Sequence, residues 1–305
     1  MEGWVAVTDR QWYERLLADG ISDGEVNFWQ PSARAPKHMP IGTPFLFKLK
    51  APANAICGFG CFMGFSVLPD WLAWDTFGRG NGVASLAEMR ERLAKIRSGA
   101  KIADRPDIGC CLIAGAEVWP EDRWIPQPTD WHPRTVVGAT YDLRVGEGRR
   151  IWAEVQHRSE LGKDPNWPRY RDEQARYGQP TLTTPRLGQG IFRVRVLDAY
   201  ERACAVTNEH SLPVLDTAHI QPYAEGGEHH VDNGLPLRVD LHRLFDGGYV
   251  TFDAERRLVV SRRLREEFEN GKTYYAMHGQ ALRTARAGAG PDRALEWHRA
   301  HVFRG

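Results

Sequence analysis

"LDTAHIQPYAEGGEHHVDNGLPLRVDLHRLFDGG", residues 215–248, places four histidines, His219, His229, His230 and His242, in one short stretch. Residues 214–220 are mostly apolar, stop before Pro222, and read as a strand. Residues 223–232 are polar and contain Gly226 and Gly227, so they read as a loop. Residues 237–245, "LRVDLHRLF", space Leu237, Leu241 and Leu244 at helical intervals. His219 therefore ends a strand, Asn233 follows a loop, and His242 lies on a helix. His229 and His230 fall at the polar loop tip and read as solvated residues, with contact to a phosphate as the alternative.

The blocks "DTAHIQP", "DNGLPL" and "DLHRLFDGG" resemble, in order, the motif of the ββα-metal, or HNH, nucleases. His219, Asn233 and His242 supply its three letters at spacings of 14 and 9 positions. "GQGIFRVRVLDAYERACAVTN" and "ALEWHRAHVF" resemble the flanks of restriction-type members, so the resemblance covers roughly residues 186–305. It implies phosphodiester hydrolysis: His219 as the base that takes a proton from water, Asn233 fixing the loop, and His242 as a ligand of a divalent cation. That cation is expected to be Mg²⁺, with Mn²⁺, Ni²⁺ or Co²⁺ as alternatives. A histidine suits the base because it titrates near working pH. Many family members place Asp or His directly before the base as the second metal ligand, and this chain has Ala218 there. Asp216 lies two residues back on the same strand face and is the expected replacement, with Asp246 competing.

A chain of 305 residues suits two domains. The net charge of +1 and 26% charged residues do not announce a nucleic-acid binder and do not exclude one. No apolar run approaches a membrane span, and Met1-Glu2-Gly3-Trp4 lacks a signal-peptide pattern, so a bacterial cytoplasmic protein is expected. Five cysteines without a CxxC pair argue against a disulfide framework and a zinc knuckle. Cys57 and Cys61 sit in an apolar run, and core packing is preferred over half a metal site; Cys204 reads the same way. His210, His298 and His301 read as structural.

Residues 1–155 hold nine of the eleven tryptophans. Strands are expected at residues 4–7, 26–29, 43–49, 56–67, 107–117 and 134–141. Helices are expected at 9–18, capped by Asp9, and at 86–96, capped by Ser85 with Glu88 three positions on. "WVAVTDRQWYERL", "VNFWQPS", "GTPFLFKL", "GFGCFMGF" and "AWDTFGRGNGVASL" resemble, in order, the PUA-like superfamily, closest to EVE-type domains. EVE, SRA and YTH relatives read modified bases, often after base extrusion, so a modified-base pocket is implied. A flipped base needs aromatic walls and polar groups at its edge. Trp29, before Gln30-Pro31-Ser32, is the first wall expected; Trp71 and Trp74 follow, and Ser32, Asp75 and Asn81 are pocket polar residues. Core packing is the plain alternative for each tryptophan.

The expected architecture is α+β: a PUA-like β-barrel over residues 1–155, a linker over 156–188 with a short helix at 169–177, and an HNH domain over 189–305. In the last, a helix is expected at 192–200, a strand pair within 249–260, and a helix from Ser261. The expected function is modification-dependent cleavage of double-stranded DNA, with a modified cytosine as the base read and a homodimer for double-strand cutting. The alternatives are a repair or nicking nuclease without modification dependence, and a non-catalytic reader carrying a degenerate nuclease fold.

Overall fold

The computed structural model describes residues 1–36, 39–100, 107–159 and 188–305, and divides into two compact units, Met1–Ile191 and Phe192–Gly305. The expected linker, with its helix at 169–177, lies outside the described residues apart from its two ends.

The first unit is built on one sheet. Its elements are β1 (Glu2–Thr8), α1 (Arg10–Ala18), β2 (Ser22–Gln30), β3 (Pro44–Leu49), β4 (Ala55–Pro69), α2 (Asp70–Phe77), α3 (Leu86–Ala100), β5 (Asp107–Val118), β6 (Ile125–Pro126), β7 (Gly138–Asp142) and α4 (Gly146–Arg158). The strand order is β2-β5-β4-β3-β1-β7, with β6 on β4; β1 and β3 are parallel and the other pairs antiparallel. Among the described residues no ladder joins β7 to β2, so the sheet is open where a closed barrel was expected. β2 bonds β5 and β7 bonds β1, which leaves these two strands as the ends of the path.

Alternating side chains feed two cores. Phe45, Phe47 and Leu49 of β3 join Trp12, Tyr13 and Leu16 of α1 on one face. Leu46 joins Val5, Phe59, Trp119, and Ile151, Trp152 and Val155 of α4 on the other. Both faces are thus buried, which is why the strand is apolar nearly throughout. Cys57, Cys61, Cys110 and Cys111 are buried free thiols within this sheet. Asp9 caps α1 as expected, accepting from the Trp12 amide at 2.9 Å. Ser85 accepts from the Glu88 amide, and Glu88 reaches back to the Ala84 amide. The extended strand β4 shifts register between Phe59 and Cys61 and again between Phe62 and Gly64, the bulged form its glycines suggest.

The second unit begins within α5 (Gln189–Ala199) and continues through β8 (Leu215–His219), β9 (Gly234–Arg238), α6 (Val239–Asp246), β10 (Val250–Phe252), β11 (Leu258–Val260), α7 (Arg263–Phe268), α8 (Lys272–Tyr275) and α9 (Asp292–His301). β8 and β9 form an antiparallel pair with His219 opposite Gly234 and Asp216 opposite Leu237. α6 follows directly and buries Leu241 and Phe245, completing a ββα unit. The expected helical run from Leu237 starts too early. Leu237 is in the β9 ladder and the helix opens at Val239, because Leu237 meets both the strand and the helix spacing. Cys204 is a buried free thiol in this unit. No helix among the described residues is long and apolar enough to cross a membrane.

Candidate functional site

His219 closes β8 with its ring stacked on Phe192, centroids 4.0 Å apart and planes 18° from parallel. Gly234, its cross-strand partner, makes this contact possible. A Cβ there would lie 2.5 Å from Val196 and 2.8 Å from the Phe192 ring. Burial pushes the His219 pKa down to about 4, helped by the neighbouring His229 and His242. The imidazole is therefore neutral at physiological pH, the form that can accept a proton.

Asn233 is 7% exposed, and its side chain is fully engaged by the loop it follows. Its Oδ1 accepts from the Gln221 amide, and its Nδ2 donates to the carbonyls of Gln221 and Glu228, each at 2.9 Å. One amide thus ties both ends of the segment from Gln221 to Glu228 together. Gly227 permits the closure: a Cβ at that position would stand 1.9 Å from the Gln221 carbonyl oxygen.

That closed loop carries His229 to His219. His219 Nε2 and His229 Nδ1 are 2.9 Å apart and share one hydrogen. Tyr223 stacks on the other side of His229, centroids 5.1 Å apart and planes 9° from parallel. The solvated-tip reading of His229 is therefore corrected. A ten-residue separation looked long along the chain, but the Asn233 tie folds it back. His230 instead turns toward its own chain, 3.4 Å from the Asp232 carboxylate.

His242 stands on α6 between two carboxylates. Its Nδ1–H donates to Asp216 at 3.0 Å, and its Nε2 lies 3.2 Å from Asp246. Burial disfavours its charge, but the Asp216 hydrogen bond and the charges of Asp246 and Asp216 outweigh burial and raise its pKa. The His242 hydrogen bond lowers the Asp216 pKa. Burial raises that of Asp246, and the Asp216 charge adds to the effect against the opposing pull of His242. Two carboxylates crowd one imidazole, and a bound cation would relieve that crowding. With the hydrogen on Nδ1 committed to Asp216, the ring's lone pair is at Nε2, beside the Asp246 carboxylate. A divalent cation held by His242 and a neighbouring carboxylate would fill its remaining positions with water and phosphate oxygens. Among the described residues, no group of three or more His, Cys, Asp or Glu side chains is arranged to hold a metal ion unaided. Ala218, directly before His219, is fully buried.

The remaining expected residues divide. His298 is structural: Thr251 donates to its Nδ1 at 2.9 Å and its Nε2–H donates to the Phe245 carbonyl at 3.0 Å. His301 bonds the Trp297 carbonyl on its own helix. In the first unit, Trp29 is partly buried and its indole N–H donates to the Asn81 carbonyl at 2.8 Å. Asn81 itself is 0% exposed. Its Oδ1 accepts from Asn27 and its Nδ2 donates to the Ala73 and Gly78 carbonyls. An amide so committed does not present an edge to a base, which corrects the expectation for Asn81. Trp71 and Trp74 are partly buried on α2, Asp75 is exposed beside them, and Ser32 is partly buried after β2. Trp12, Trp119 and Trp152 are core.

Residues 204–253 match the family model described as HNH endonuclease. The matched segment contains β8, the loop, β9, α6 and the whole histidine constellation, and supports an HNH nuclease. No curated protein matches the chain. Among solved structures, the crystal structure of ASCH from Zymomonas mobilis is similar at 11% identity and a TM-score of 0.34, covering 50% of this chain and 94% of that one. A point mutant of the same ASCH protein gives 9% identity and a TM-score of 0.33, covering 50% of this chain and 96% of that one.

Proposed function

We propose that this protein is a modification-dependent DNA endonuclease whose second unit hydrolyses phosphodiester bonds and whose first unit reads a modified base. The observation that carries the nuclease reading is the placement of His219 at the end of β8, in the same ββα unit as the Asp216–His242–Asp246 cluster. A divalent cation held by His242 with Asp216 or Asp246 would stabilise charge on the phosphate and on the leaving oxygen. His219 accepts a proton from the attacking water at Nδ1, which has no hydrogen bond among the described residues. A bond forms between that water oxygen and phosphorus, and the bond from phosphorus to the 3′ oxygen breaks. Asn233 keeps the loop closed around the base. Asp216 supplies the carboxylate that Ala218 cannot.

The reader assignment rests on the aromatic residues Trp29, Trp71 and Trp74, whose rings are not fully committed to the core. One such nuclease site cuts one strand, so double-strand cleavage calls for two copies of the chain acting together. A bacterium would use this activity in its cytoplasm against modified phage or foreign DNA.

The test is digestion, with Mg²⁺ or Mn²⁺, of matched DNAs carrying cytosine, 5-methylcytosine, 5-hydroxymethylcytosine, glucosylated 5-hydroxymethylcytosine or N6-methyladenine. Cleavage confined to modified cytosines is expected. Equal cleavage of every DNA would make the protein a nuclease without a modification reader. Selective binding with no cleavage would make it a reader with a degenerate nuclease fold.

A further inference from the structure

A histidine used as a base must present a lone pair to the water, and its two ring nitrogens exchange that role between tautomers. In a neutral imidazole one nitrogen carries hydrogen and the other does not. The shared hydrogen between His219 Nε2 and His229 Nδ1 therefore determines what His219 Nδ1 can do. If His229 Nδ1 accepts, His219 carries its hydrogen on Nε2 and Nδ1 is a lone pair. If His229 Nδ1 donates, His219 Nδ1 carries the hydrogen and cannot take a proton.

His229 is held for this task from three sides. The Asn233 amide donates to the carbonyl of Glu228, the residue immediately before it. Tyr223 covers its ring face, and the His219 ring meets it edge-on at 4.9 Å. His219 is in turn fixed by Phe192. The result is a continuous column, Phe192–His219–His229–Tyr223, in which only one hydrogen bond leaves the His219 ring among the described residues.

We infer that His229 is a positioning residue that holds His219 in its Nε2-protonated tautomer, so that Nδ1 faces the reacting water as an acceptor. The 2.9 Å contact accommodates a hydrogen on either ring, so both the choice of tautomer and its catalytic consequence rest on the nuclease reading above. Partners that orient a functional histidine through its second nitrogen are worth about 10- to 100-fold where they have been removed from metal sites, a fair scale for this pair.

The test combines a spectroscopic and a kinetic readout on the full chain. Histidine side chains are labelled with ¹⁵N, and long-range ¹⁵N–¹H correlations are recorded at neutral pH, with His219→Gln identifying the His219 signals. Wild type is expected to show His219 protonated at Nε2. His229→Phe keeps a ring against Tyr223 but removes the acceptor, and a mixed His219 tautomer is expected. His229→Asn restores an acceptor near the Nδ1 position and is expected to restore the single tautomer. In cleavage assays, His229→Phe should lower kcat by about 10- to 100-fold with KM unchanged, and His229→Asn should recover most of it. An Nδ1-protonated His219 in wild type overturns the inference. So does an unshifted tautomer in His229→Phe, including the case where both variants lose cleavage equally through loop packing. If the wild type cleaves nothing, the nuclease reading fails while the tautomer measurement still decides the role of His229.

Discussion

At the scale of single residues, two histidines share a depressed pKa of about 4 for one physical reason, burial, and differ in what surrounds them. His298 has both ring nitrogens bonded to Thr251 and Phe245 and is 1% exposed, so nothing can reach it. His219 keeps Nδ1 without a partner among the described residues. Low pKa alone therefore does not single out His219; its open Nδ1, in the same ββα unit as Asp216, His242 and Asp246, does. The two also make different predictions. His298 is neutral in the folded protein down to about pH 4, whereas in the unfolded chain it takes up a proton near the ordinary 6.5. Its contribution to stability is thus fully present above pH 6.5 and is lost as pH falls from 6.5 to 4, reaching about 3 kcal/mol at the lower end. Urea unfolding of wild type and His298→Gln should show the stability difference between them narrowing over that window. A difference independent of pH would mean that His298 does not stay neutral. Asn233→Ala strands the Gln221 and Glu228 carbonyls and should cost about 1–3 kcal/mol in the same assay, with cleavage falling further than stability alone explains.

At the scale of elements, what was legible in the sequence was whatever local chemistry specifies. Asp9 before α1 and Ser85 with Glu88 before α3 declared those helices because a side-chain oxygen must meet an otherwise unbonded amide. Asp9→Ala should accordingly cost about 1 kcal/mol, read as a shift in urea midpoint. The helices α2 and α4 went unread. α2 follows Pro69 without a side-chain cap, and α4 opens on Gly146 and Gly148, residues that ordinarily argue against helix. The strand β9 went unread, and α6 was started at Leu237, because Leu237 fits both spacings. What separates them is the pairing of Leu237 with Asp216, a long-range contact. His229 was missed for the same kind of reason, since its partner is ten residues away through a loop closed by Asn233. Gly234 shows how tightly the elements around His219 are packed. Gly234→Ala places a methyl against Val196 and Phe192, and overpacking of this kind costs about 1–3 kcal/mol. Its cleavage should fall with the displacement of Phe192, the ring His219 rests on.

At the scale of the whole molecule, the two units carry different kinds of evidence. In Phe192–Gly305 the residues named from the sequence stand close together: Asp216 and Asp246 flank His242, and Asn233 closes the loop beside His219. In Met1–Ile191 the aromatic residues named from the sequence serve two ends, some filling the cores on either face of the sheet and some remaining partly exposed on β2 and α2. Composition could not sort them: Trp12 on α1 packs into the core with Phe28 and Phe47, whereas Trp29 on β2 stays partly exposed. Trp29 is tied to the Asn81 backbone, so its ring orientation is set before any ligand arrives. Trp29→Ala should keep cleavage but lose its preference for modified DNA, and unchanged preference would remove Trp29 from the pocket.

The central claim is hydrolysis by His219 with a divalent cation at His242. Its most direct measurement is single-turnover cleavage of a modified-cytosine duplex by wild type and His219→Ala, with Mg²⁺ and with the metal chelated, alongside DNA binding. Wild type should cut only with the cation, and His219→Ala should bind equally well while cutting about 10²- to 10⁴-fold more slowly. Cleavage by His219→Ala at the wild-type rate, or undiminished wild-type cleavage under chelation, would contradict the account.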